Sequence, residues 1–111
     1  MLVKEMLNVT TNVDVNGPVV HFEMPDRIRG VVQVAITEEV GTLGSNTHFD
    51  VEGRLSENHG FFEVASNLQT GLDPATVAQE DIAMFPQMRV RIDEANVSNS
   101  ESITAVAYIG N

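Results

Sequence analysis

The sequence has no cysteine, no tryptophan and a single tyrosine, and only six lysines and arginines stand against 16 aspartates and glutamates. Each shortage excludes something. Without cysteine there is no disulfide framework and no thiolate chemistry, and no redox compartment is selected. Without tryptophan, and with Tyr108 alone, there is no ready aromatic platform for a sugar. A net charge of −10 argues against nucleic acid and against an anionic membrane face as partners. Long apolar runs are also missing. The first seven residues, MLVKEML, are interrupted by Lys4 and Glu5 and are too short to span a bilayer or to form the core of a signal peptide. The N-terminus is therefore expected to be retained.

What is present is a chain of 111 residues with 42% apolar content. That suits one globular domain with a core of its own. Period-two alternation dominates. Val20, Phe22 and Met24 alternate with His21 and Glu23, and Val32, Val34 and Ile36 with Gln33 and Ala35. Phe49, Val51, Gly53 and Leu55 alternate with Asp50, Glu52 and Arg54, and Met88, Val90 and Ile92 with Arg89, Arg91 and Asp93. Ile103, Ala105, Ala107 and Ile109 alternate with Thr104, Val106 and Tyr108. Each run fits a strand with one face on a core.

Turn signals separate the runs: Asn16-Gly17-Pro18, Pro25-Asp26, the loop Gly41 to Asn46, the hairpin connection Ser56 to Gly60, Gly71 to Pro74, and Asn96 to Ser102. Helix is nearly unsupported. Asp73 to Met84 has Pro74 at a possible first helical position, yet its apolar residues make no 3.6-residue stripe, and a loop with a short strand is expected there. The fold class that follows is all-β: a single antiparallel two-layer sandwich over residues 1–111, jelly-roll-like, with about eight strands and little or no helix. Residues 1–8 form either a first strand or an oligomerisation arm.

Gly53 inside a strand predicts a bulge or a close backbone approach. Phe61 and Phe62 point to opposite faces, with one ring expected in the core. Arg89 and Arg91 share the polar face of their strand, to be neutralised by cross-strand carboxylates or by a partner's acidic surface.

The order of parts from Val31 to Gly110 carries a resemblance. A strand VVQVAI is followed by Val51-Glu52-Gly53-Arg54-Leu55-Ser56, then Glu57-Asn58-His59-Gly60-Phe61-Phe62, then Met88-Arg89-Val90-Arg91-Ile92, then Ile103-Thr104-Ala105-Val106. This resembles small structural β-sandwich proteins of phage virions, capsid decoration or tail-associated, and more broadly galactose-binding-like jelly rolls. A phenylalanine stands here where the pattern commonly has tryptophan. The resemblance implies a non-enzymatic virion protein, a capsid decoration or cement subunit, that adheres to a major capsid or tail protein and to its own copies as a homo-oligomer such as a trimer. A carbohydrate-binding module is the alternative, with Arg89, Arg91, Asn58 and His59 as a polar site.

Chemistry-bearing constellations are sparse. No nucleophile elbow, HExxH or P-loop is present, and no catalytic residue or cofactor is expected. Asp14-Val15-Asn16-Gly17 begins like a calcium loop but lacks its remaining ligands, so it reads as a turn. His48 and Asp50 lie two apart on one strand face and could share a metal, but no third ligand is visible in the sequence, and no metal site is expected. The interface candidates are the apolar N-terminal residues Met1, Leu2, Val3 and Met6, then Leu72, Val77 and Phe85 from the long segment between Asn67 and Phe85, and Arg89 and Arg91.

Overall fold

A computed structural model describes residues 2–23, 29–40, 48–69, 76–93 and 102–111. Those residues form nine strands and no helix: β1 (Val3–Thr11), β2 (Val15–Asn16), β3 (Val20–His21), β4 (Arg29–Val40), β5 (His48–Arg54), β6 (Phe62–Leu68), β7 (Thr76–Ala83), β8 (Gln87–Asp93) and β9 (Ser102–Gly110). All pairings are antiparallel. One sheet runs β1-β9-β4-β7 and the other β2-β8-β5-β6, with β3 also on β8. Both β2 and β3 pair with β8, Asn16 opposite Arg91 and Val20 opposite Met88, so they are two halves of one strand broken at Gly17-Pro18-Val19. Proline cannot donate to a ladder, which accounts for the break. Counted this way there are eight strands in two sheets of four, and the chain crosses between sheets at every connection except the β5–β6 hairpin, a jelly-roll order.

The alternation read from the sequence is the buried phase of these strands, except that Leu55 lies past the end of β5 and is 61% exposed, and Met24 lies outside the described residues. Val32, Val34, Ile36, Phe49, Val51, Met88, Val90, Ile92, Ile103, Ala105, Ala107 and Ile109 all lie in the core between the sheets. β7 is a single continuous strand on the edge of its sheet rather than a loop with a short strand, because β4 supplies a ladder along its length. Its solvent side is polar, and Asp81 adopts a positive φ of 62° where the register with β4 shifts. A charged, bulged edge discourages pairing with another chain.

Bulges explain where simple alternation fails. In β1 the register with β9 shifts between Glu5 and Leu7, so Met6 and Leu7, adjacent in sequence, are both buried. The segment is a core strand, clasped to β9 by a 2.7 Å hydrogen bond between the Thr10 and Thr104 hydroxyls. In β6 an extra residue opposes Asp50, and Asn67 takes a φ of 58°. Gly53 is a close approach as expected: a Cβ there would lie 2.8 Å from the Phe85 ring.

Candidate functional site

Two surfaces stand out, one on each sheet. On the first sheet, the outward phase of β1, β9 and β4 is apolar at one end. Val3 and Val31 both oppose Gly110, and Gln33 opposes Tyr108. Gly110 has no side chain between the two valines, and a Cβ there would meet the Leu2 carbonyl at 2.6 Å. The result is an open cleft of about 510 Å³ with Val3, Val31 and Tyr108 among its lining residues. All three are exposed apolar side chains: Val3 at 56%, Val31 at 42% and Tyr108 at 41%.

The rim of this cleft is charged. Arg29 donates from Nε to Asp81 Oδ1 at 2.7 Å and from Nη2 to the Asp81 carbonyl. The hydrogen bond from Arg29, reinforced by its positive charge, holds the Asp81 carboxyl below the usual carboxylate range. The same hydrogen bond raises Arg29. The bulge in β7 turns Asp81 toward β4 and makes this pair possible.

On the second sheet, the outward phase of β5 and β8 is a ladder of four polar pairs in register: His48 with Asp93, Asp50 with Arg91, Glu52 with Arg89, and Arg54 with Gln87. His48 Nε2 lies 3.0 Å from Asp93 Oδ2. Arg89 Nε donates to Glu52 Oε1 at 2.7 Å, and Arg54 Nε donates to Gln87 Oε1 at 2.7 Å. Arg91 Nη1 is 3.9 Å from Asp50 Oδ2. The Arg54 and Arg89 guanidiniums also sit 4.3 and 4.0 Å from the centroid of the Phe61 ring.

The predicted interface residues scatter over the molecule. Leu2 and Val3 are exposed beside the cleft. Met6 is fully buried between the sheets and presents nothing to a neighbour; the bulge that turns it inward is the reason. Val77 is half-buried against the core, and Phe85 packs edge-on against Phe62 with 4.8 Å between ring centroids. Arg89 and Arg91 face carboxylates of their own sheet. Met1 and Leu72 lie outside the described residues. Neither Phe61 nor Phe62 enters the core: Phe61 lies against the arginines, and Phe62 is 45% exposed.

Five residues of these two surfaces are not among those expected from the sequence: Arg29, Val31, Asp81, Asp93 and Tyr108. Val31 and Tyr108 sit on the polar phase of their strands, and an apolar residue out of phase was the available signal. Asp93 lies 45 positions from His48, and only strand register brings them together.

Comparison with known proteins gives no match to any family model, curated protein or solved structure.

Proposed function

We propose that the chain is a non-enzymatic structural subunit of a bacteriophage virion, a capsid decoration or cement protein that works by protein–protein adhesion. The observation that carries the reading is the outward apolar cleft of Val3, Val31 and Tyr108 with its charged Arg29–Asp81 rim. An apolar centre with a polar rim is the anatomy of a contact surface. The jelly-roll order of strands adds support by analogy, since viral capsid and lectin domains both use this architecture. The resemblance of residues 31–110 to phage sandwich proteins supplies the virion. In such a role each contact can be modest, because many copies on one shell act together.

The partners are other copies of the chain and a major capsid or tail protein. The acidic surface, with net charge −10, keeps crowded copies from aggregating.

The test is co-sedimentation of the purified chain with capsid shells or tails prepared without it, followed by imaging of the decorated particle. Wild-type chain should bind in stoichiometric multiples, with density that fits the sandwich. Tyr108→Ser and Val31→Ser should weaken binding at least tenfold without loss of fold. Absence of the chain from both shells and tails would overturn the proposal, as would tight glycan binding lost in Arg89→Ala.

A further inference from the structure

We propose that His48, Asp50 and Asp93 form a binding site for a divalent transition-metal ion such as Zn²⁺, on the outward face of the second sheet and independent of the adhesion cleft on the first. His48 and Asp50 are separated by two positions on β5, so their side chains share one face. Asp93 on β8 is directly opposite His48. One ligand atom from each of the three residues lies within 4.8 Å of the others.

The His48–Asp93 distance suits a metal, and Asp50 has only to close a short gap to join them. With bonds of about 2.1 Å, two ligand atoms on one ion stand about 3.0 Å apart at a right angle and about 3.4 Å apart at the tetrahedral angle. His48 Nε2 and Asp93 Oδ2 are already 3.0 Å apart. That separation alone is equally a hydrogen bond, so the weight falls on Asp50.

The Asp50 side chain is only 4% exposed. Its Oδ1 accepts the Asn67 N–H at 3.0 Å. Its Oδ2 is 3.9 Å from Arg91 Nη1, beyond hydrogen-bonding length, and no donor among the described residues reaches it. Arg91 offsets the charge of this oxygen only from a distance, and a bound cation would supply the direct contact that a buried carboxylate oxygen favours. Asn67, in the bulge of β6, holds the carboxylate through its other oxygen, as a supporting residue holds a metal ligand in place.

One imidazole nitrogen and two carboxylate oxygens match zinc or manganese better than calcium, which prefers an all-oxygen shell. Three protein ligands leave at least one position for water. Arg91 opposes the ion electrostatically. Its removal should therefore tighten binding, the opposite of what losing a ligand does. The bound ion would bridge β5 and β8, the two inner strands of this sheet.

The experiment is calorimetric titration of the chelator-treated full-length chain with Zn²⁺, with Co²⁺ as a spectroscopic probe. The expected result is one ion per chain, a rise in melting temperature, and selective perturbation of the His48 ring resonances over those of His21 and His59. His48→Gln and Asp93→Asn should each weaken binding at least tenfold, and Arg91→Ala should strengthen it. Binding absent at a hundred micromolar Zn²⁺, or shared among all three histidines, would overturn the proposal. So would binding unchanged in both ligand variants. If a variant fails to fold, the Co²⁺ spectrum and His48 shifts of the wild-type chain decide alone. Capsid binding by Tyr108→Ser does not enter this test, so the two proposals fail separately.

Discussion

Glu52 and Arg89 form a cross-strand ion pair, 2.7 Å from Oε1 to Nε, with side chains only 13% and 23% exposed. The same guanidinium rests on the Phe61 ring. This is a half-buried charge held by three elements rather than a surface pair free to wander. Arg89→Ala removes the partner of a largely buried carboxylate, and it should cost about 2 kcal/mol in chemical denaturation. Glu52→Gln with Arg89→Ala should cost less than the sum of the single changes. A double-mutant cycle showing strict additivity would mean that the pair contributes nothing.

Gly53 and Phe85 are a second coupled pair. Gly53→Ala places a methyl group 2.8 Å from the ring and should destabilise the fold by about 1–3 kcal/mol. Adding Phe85→Leu should return part of that loss, since the obstacle becomes smaller. Melting temperatures of the two single variants and the double variant check this.

Met6 and Leu2 lie four residues apart and should respond very differently. Met6 is fully buried while Leu2 is 45% exposed. Met6→Ala should cost about 2–4 kcal/mol, and Leu2→Ala no more than about 0.5. Equal small effects from urea denaturation would favour an oligomerisation arm over a core strand for the N-terminal segment.

Asp81 should titrate below the ordinary carboxylate range, because Arg29 hydrogen-bonds to its charged form. A carboxyl whose folded pKa is depressed favours the folded state above its unfolded pKa and loses that contribution as the pH falls through the folded value. The pair is solvent-exposed, so the effect on global stability is small. The sharper readout is a carboxyl-carbon NMR titration, in which Arg29→Gln should move the Asp81 midpoint upward.

The sandwich was legible because its core phase is regular in four runs, from Val32-Val34-Ile36 to Ile103-Ala105-Ala107-Ile109. Where reading failed, a bulge or a long-range pairing was responsible. Met6 and Leu7 blur the period of β1 because an inserted residue turns both inward. β7 looks irregular because its middle residues are an exposed edge, with Asp81 in a bulge. One of Phe61 and Phe62 was expected in the core because hydrophobicity speaks for burial, yet two arginines take the Phe61 ring and Phe62 stays exposed. His48 and Asp50 were visible as a pair by spacing alone. Asp93 was not, since nothing local says which residue of β8 stands opposite His48. Pairing of Arg89 and Arg91 with their own sheet was one of two open readings, and register decided it.

The clasp between β1 and β9 also governs the order of events in folding. Thr10 and Thr104, which share a hydroxyl hydrogen bond, are 94 residues apart in sequence. Among the described residues β1 has no neighbour within its sheet other than β9. As the chain leaves the ribosome, the strand carrying Met6 and Leu7 emerges early and must keep its apolar residues unpaired until β9 is available. Closing so long a loop makes for slow folding, and although β4 and β7 pair with each other directly, β1 joins the first sheet only once β9 is in place. Truncation within β9 would consequently leave β1 without a ladder and separated from the β4–β7 pair.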